Sequence, residues 1–200
     1  MPLLPINLNI KNAECLIVGG GKVAYRKCTA LQECGAAITV VAPQLDAAFD
    51  SLPAPFHFHK RAFEPRDCEG KRLIFACTDK NGVNLQVAKI AQQAGIWCNV
   101  CDDAEKSTFH SVASVRQGDI TIGIATSGQS PALARHLKAK IATCVGPEYE
   151  MLATLIAKYR KTANADWDKF FKSDALTKVL LLIKSQRIAD ADKLLREELT

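Results

Sequence analysis

Apolar positions over the first hundred residues alternate between short runs and helical stripes. Cys15-Leu16-Ile17-Val18 is a continuous apolar run, the pattern of a strand buried on both faces. From Lys22 to Glu33, the residues Val23, Ala24, Cys28 and Leu31 fall on one side of a helix. Gly35 is placed to cap that helix, and 36–41 predicts a second strand that Pro43 stops. Further along, 56–60 alternates as an edge strand does, 71–78 is another buried strand, 83–94 is an amphipathic helix closed by Gly95, and 96–100 is a strand. Strands alternating with helices in this way predict an α/β fold around a parallel sheet. The lead-in Leu3-Leu4-Pro5-Ile6 is expected to pack on the sheet edge, and 44–55 to be irregular.

The pattern changes beyond residue 107. Residues 108–116 and 119–125 read as two strands joined by Gln117-Gly118. Ser130 is a good N-cap and Pro131 a good first residue for the next helix. From Gly146-Pro147 the spacing predicts helices over 148–162, 166–172 and 174–199, with Leu176, Val179, Leu180 and Ile183 as core positions. The expected organisation is therefore a Rossmann-type domain at 1–112, a small α+β segment at 113–145 and a helical C-terminal domain at 146–200.

Chemistry enters at the first turn. Gly19-x-Gly21-x-x-Ala24 between a strand and a helix has the form of a dinucleotide phosphate turn. Gly19 permits the tight turn, Gly21 offers no side chain to block a pyrophosphate, and Ala24 lets the helix approach the sheet. A glycine triplet by itself serves equally as a loop; its place between strand and helix favours dinucleotide binding. An Asp or Glu commonly follows the second strand to bind the ribose. Here the nearest acid is Asp46, and no Arg stands there for a 2′-phosphate, so the sequence leans towards NAD. Thr78 and Asp79 begin a polar stretch at a strand's carboxyl end, where open α/β sheets bind ligands. Asp102 and Asp103 sit at the next such end, with catalytic and turn-forming readings equally open. Arg135, His136, Lys138 and Lys140 add positive charge after the Ser130 turn, which a solvated helix face explains equally well.

Composition narrows the class. The chain is 48% hydrophobic with a net charge of +5, ordinary for a globular protein and too modest for a nucleic-acid footprint. No run of about 18 apolar residues is present, so no membrane span is expected. The N-terminus lacks the pattern of a signal peptide, and the eight cysteines are scattered through apolar contexts. A cytoplasmic location with reduced thiols is the expectation. His57 and His59 share a strand face but lack a third ligand nearby. Cys98 and Cys101 have no partner pair at zinc spacing, so buried thiols are the better reading and no metal site is expected.

Taken together, CLIVGGGKVAYRK, ITVVAP, FACTDKNGVN, WCNVCDD with Ser107-Thr108-Phe109, and TSGQSPALAR resemble the precorrin-2 dehydrogenase family, which includes the N-terminal half of sirohaem synthase. The likeness spans about residues 3–140, in the family's order and spacing. It implies NAD-dependent dehydrogenation of precorrin-2 to sirohydrochlorin, with ferrous iron insertion in some members. It also implies a homodimer built through the 113–145 segment. The family's key aspartate, a general base, falls on Asp102, and cofactor contacts fall on Lys22, Val23, Pro43 and Gln44. A serine phosphorylated in some members falls on Thr126, in a turn continuing through Ser127, Gly128 and Ser130. His110 stands where members vary. Precorrin-2 carries eight carboxylates, for which Arg116, Arg135, His136 and the N–H groups before Pro131 are candidate partners. The contrasting reading is a non-enzymatic NAD-sensing module, which would commonly keep the ribose acid this chain lacks. A chelatase without NAD use conflicts with the intact Gly19, Gly21 and Ala24.

Overall fold

A computed structural model describes residues 3–160 and 166–199. The chain divides into two compact units, one spanning Leu4–Ser111 and the other running from Val112 onward.

The first unit is a doubly wound α/β fold. Its elements are β1 (Glu14–Val18), α1 (Lys22–Glu33), β2 (Ala37–Ala42), β3 (His57–Lys60), β4 (Leu73–Ala76), α2 (Asn81–Gln93) and β5 (Trp97–Val100). The five strands are parallel in the order β3-β2-β1-β4-β5. Strand order therefore reverses between β1 and β4, and a crevice opens beyond their carboxyl ends. The period of two sorts the strand residues onto two cores. Cys15, Ile17, Ile38, Val40, Leu73 and Phe75 pack with Ala24, Cys28 and Leu31 of α1. Leu16, Val18, Val41, Ile74, Ala76, Cys98 and Val100 pack with Val87, Ala88 and Ala91 of α2. Both faces of the sheet are covered, which is why these strands read as unbroken apolar runs.

Several boundaries differ from the sequence expectation. Leu3, Leu4 and Ile6 are exposed rather than packed on the sheet, and Ile10 is the lead-in residue that enters the core. The stretch expected to be irregular holds a 3₁₀ turn at Ala47–Ser51, because the Asp46 carboxylate accepts from Ala48 N at 3.0 Å and caps it. A second 3₁₀ turn, Pro65–Cys68, is held by Asp67, whose Oδ2 accepts from Arg61 Nη1 and from Glu64 N, each at 2.8 Å. The edge histidines, His57 and His59, are both exposed on β3. Among the described residues no group of three metal-ligating side chains converges. None of the described helices is long and apolar enough to cross a membrane.

The second unit starts with an antiparallel hairpin of β6 (Ala113–Gln117) and β7 (Ile120–Ile124), joined by Gly118-Asp119, and α3 (Pro131–Cys144). The first strand is shorter than expected because 108–111 belongs to the first unit's loops. Phe109 stacks edge-on to Phe75 at 5.4 Å, and the Thr108 hydroxyl accepts from Cys98 N. The turn shifts by one residue, with Gly118 taking the left-handed conformation at φ +54°. Four helices complete the unit: α4 (Pro147–Tyr159), α5 (Trp167–Lys172), α6 (Asp174–Lys184) and α7 (Ile188–Leu199). They share a core of Leu152, Leu155, Phe170, Val179, Ile183, Ala191 and Leu195. The single helix expected over 174–199 is broken. Gln186 adopts φ +61°, and Arg187 N donates back to Leu182 O at 2.9 Å, a Schellman closure without glycine. The expected end of the preceding helix, at residues 161 and 162, lies outside the described residues.

Candidate functional site

The site of the first unit is built where β1, β2, β4 and β5 end. Gly19 takes φ +121°, and a Cβ there would lie 2.6 Å from the Cys77 carbonyl oxygen. The turn out of β1 thus runs directly against the chain leaving β4, a passage open only to glycine. Gly20 is tighter still: a Cβ would collide with the carbonyl oxygen of Gln44. Its own carbonyl accepts from Asp46 N at 2.7 Å, tying the glycine turn to the segment after β2. Gly21 is the opposite case, with nothing within 4 Å of where a Cβ would stand. It is the N-cap of α1, has no side-chain cap, and no acidic residue occupies the first turn. Open space in front of uncapped N–H groups fits a diphosphate. Ala24 is fully buried against the sheet, as the turn's spacing requires, while Lys22 is exposed and Val23 half-buried.

Pro43 and Gln44 are exposed beside this turn. The Asp46 carboxylate is engaged as a cap, so the nearest acid after β2 has a structural task.

The polar stretch after β4 is organised by a residue that motif and spacing do not single out. Asn84 is fully buried in α2. Its Oδ1 accepts from Thr78 N at 3.1 Å and Thr78 Oγ1 at 2.7 Å, and its Nδ2 donates to Thr78 O at 3.0 Å. The second Nδ2 hydrogen points to Asp102 Oδ1 at a long 3.5 Å. One amide therefore fixes the Thr78 loop and reaches the carboxylate at the end of β5. Its signal in the sequence is an Asn inside an apolar helical stripe, beside Val83 and Val87. Asp79 follows Thr78 and is exposed.

The two adjacent carboxylates have different surroundings. Asp103 Oδ1 accepts from Glu105 N at 3.0 Å and Lys106 N at 3.1 Å, so it closes a turn. Asp102 is exposed, and its carboxylate is met by Asn84 at that long distance. The loop carrying it is pinned by Ser107 Oγ, which accepts from Val100 N at 2.9 Å and lies 2.8 Å from Asp103 O. His110 Nε2 lies 3.2 Å from Ala104 O in the same loop.

The remaining candidates belong to the second unit. Thr126 Oγ1 accepts from Ser130 N at 3.3 Å and lies 3.2 Å from Ser130 O, so its hydroxyl closes the turn ahead of α3. Ser127 and Gly128 form that turn in the left-handed region, at φ +50° and +79°. Ser130 Oγ accepts from Leu133 N at 3.1 Å, the expected N-cap. Arg116 is exposed on β6, and Arg135 and His136 are exposed on α3.

Fold and turn together define a dinucleotide-binding α/β protein. Residues 6–113 match the family described as "Putative NAD(P)-binding", and the chain belongs to that family. It is similar to siroheme synthase of Methylococcus capsulatus, 39% identical over 163 residues, covering 80% of this chain and 34% of the relative. Siroheme synthase of Pseudoalteromonas translucida is 35% identical over 194 residues, covering 90% of this chain and 40% of the relative. That of Chromobacterium violaceum is 33% identical over 193 residues, covering 96% and 40%. The chain spans roughly a third to two fifths of the length of these relatives. Among solved structures, that of "SirC, precorrin-2 dehydrogenase" has the same fold, with a TM-score of 0.70 at 22% identity over 96% of this chain and 99% of that one.

Proposed function

We propose that this chain is an NAD-dependent dehydrogenase that oxidises precorrin-2 to sirohydrochlorin in sirohaem synthesis. The observation that carries this is the coincidence of a phosphate-ready glycine turn with an exposed, loop-mounted Asp102 at the same sheet edge, in a chain similar to siroheme synthases over 80–96% of its length. Bound NAD would supply the hydride acceptor. The chain's part is to hold and to accept a proton. Gly21 and the first-turn N–H groups of Lys22 and Val23 would hold the diphosphate, with Pro43, Gln44, Thr78 and Asp79 along the rest of the nucleotide. Asp102 would take the proton that substrate releases as hydride departs, so that two electrons and one proton leave to the cofactor and the second proton to the carboxylate.

The substrate's carboxylates suit Arg116, Arg135, His136 and the Thr126–Ser130 turn. The second unit is proposed to consist of a dimerisation segment, 113–145, and a helical domain, 146–200. The hairpin and α3 bury only Val115, Ile124 and Ala134 in their shared cluster, and Val112 and Leu133 are exposed. So thin a core fits a face covered by a second copy. A cytoplasmic location accords with this chemistry.

Incubation of the pure protein with precorrin-2 and NAD, following NADH and the sirohydrochlorin spectrum, tests the reading. Matched growth of both signals is expected; unchanged spectra with active substrate would refute it. Parallel arms with NADP, and with sirohydrochlorin plus ferrous iron, read cofactor choice and chelatase activity. NAD binding without any tetrapyrrole response would point instead to a sensing module.

A further inference from the structure

Two cysteines at the ends of neighbouring strands have no part in the chemistry above. Ala76 of β4 lies opposite Val100 of β5, so the next residues, Cys77 and Cys101, continue the parallel register side by side. Cys101 N donates to Ala76 O at 3.0 Å, holding the two backbones in step. Their Sγ atoms are 2.8 Å apart. Adjacent parallel strands are spaced about 4.8 Å, inside the roughly 4.4–6.8 Å Cα separation that a disulfide spans. We propose that Cys77 and Cys101 are a redox pair that closes reversibly to a disulfide, tying β4 to β5 one residue before Thr78 and Asp102.

The surroundings distinguish this pair from the chain's four buried thiols. Cys15, Cys28 and Cys68 are buried, and burial pushes their thiols up to about 11; Cys98 is pushed to about 12 in the same way. Those side chains are inert filling. Cys77 and Cys101 are both half-buried. The hydrogen bond between the two sulfurs, with the Lys27 and Arg26 cations nearby, holds the Cys101 thiol below its ordinary range. The same hydrogen bond holds Cys77 in its protonated form. Lys27 is itself fixed, 5.1 Å above the Phe75 ring with Nζ donating to Ser111 at 2.8 Å. Within the proposal Cys101, the thiol held lower, makes the attack and Cys77 resolves it.

With glutathione disulfide as oxidant, the Cys101 thiolate attacks one sulfur, breaking the glutathione S–S bond and releasing a glutathione thiolate. Cys77 then attacks the mixed disulfide and expels the second glutathione, to which its proton passes. Two protein thiols are oxidised and one glutathione disulfide is reduced to two thiols.

The test treats the folded full chain with glutathione disulfide, then alkylates and digests it with trypsin. The expected product is a cross-link between residues 73–80, which hold Cys77, and 90–106, which hold Cys98 and Cys101, removed by dithiothreitol. Cys98→Ser should keep the cross-link, and Cys77→Ser should stop at a glutathione adduct on Cys101. A stable adduct on Cys101 in the unsubstituted chain with no cross-link would overturn the proposal. So would loss of the cross-link in Cys98→Ser, or absence of any reaction at Cys77 and Cys101 in the folded chain under conditions where they react in the denatured chain, adducts on the exposed Cys144 being set aside. The unsubstituted chain alone decides the matter if Cys77→Ser does not fold.

Discussion

Asp102 and Asp103 are chemically alike and separated by one peptide bond, yet their surroundings assign them different work. Asp103 is occupied by the backbone N–H groups of Glu105 and Lys106, whereas Asp102 is exposed. Asp102→Ala should therefore lower precorrin-2 turnover by about 10²–10⁴ while leaving NAD affinity near that of the unsubstituted chain. Asp103→Ala should instead cost about 1 kcal/mol of stability through the lost turn. Steady-state kinetics beside a urea titration separates the two, and equal kinetic damage from both would remove the distinction. Asn84 is the residue whose removal joins fold and function. Asn84→Ala strips the partners from the Thr78 N–H and carbonyl in a buried setting, at about 1–3 kcal/mol. It should also weaken NAD binding measured by calorimetry. An Asn84→Ala protein of normal stability and affinity would show that the amide does not organise the loop. Carboxylates at strand ends are a recognisable pattern, so the sequence brought out the Asp102–Asp103 pair with catalytic and turn-forming readings open, and the resemblance alone pointed to Asp102. The sequence hid Asn84, because a buried amide within an apolar stripe shows its purpose only once its partner loop folds back over it.

At the level of elements, the glycine turn separates into two positions required by the fold, Gly19 and Gly20, and one left for ligand, Gly21. Gly20, the unspecified middle residue of the motif, is barred from carrying a Cβ by the Gln44 carbonyl. Gly20→Ala should destabilise the chain by about 1–3 kcal/mol. Gly21→Ala has open space and an extended φ of −83°, so stability should stay within about 0.5 kcal/mol while NAD affinity falls. Urea midpoints and calorimetric NAD titrations on both variants check this, and the reverse ranking would contradict the assigned roles. The strands, and α1 in particular, were legible because apolar period and capping glycines agree on their limits. Other features left no comparable mark. The break before α7 rests on a left-handed Gln186 with no Gly or Pro to announce it, and is imposed by α7 folding its Ala191 and Leu195 back onto Val179 and Ile183. The 3₁₀ turn after β2 depends on one Asp46 cap, and the role of Gly20 depends on a carbonyl contributed by a later strand's exit.

The 3₁₀ turn at Pro65–Cys68 brings a pH dependence of its own. Burial pushes the Asp67 carboxyl up, but the Arg61 guanidinium and the Glu64 N–H bonded to it outweigh this and hold it below the usual aspartate value. A lowered folded-state value contributes stability above the unfolded aspartate range and loses it as pH falls through the folded value. Asp67→Asn should accordingly be less stable than the unsubstituted chain by about 1–2 kcal/mol at neutral pH, and the gap should narrow under acid. A gap that widened as pH fell would reverse the sign of the argument.

For the whole molecule, the contact pattern separates Leu4–Ser111 from the chain beyond it, and each unit has its own buried clusters. The first unit holds both faces of the sheet, the glycine turn, Asn84 and Asp102, so everything assigned to the nucleotide is encoded before Val112. A chain ending at Ser111 loses none of the side chains that fill its two sheet cores, Phe109 included. It should unfold in one cooperative transition and bind NAD about as tightly as the full chain. Its dehydrogenase activity should be absent, since Arg116, the Thr126–Ser130 turn, Arg135 and His136 are missing. Thermal unfolding and NAD titration of the truncated chain decide between this and a mutually dependent pair of units. A fragment that fails to fold would mean that the cofactor domain is completed by residues beyond 111. A folded fragment that still oxidises precorrin-2 would mean that substrate needs nothing from the second unit.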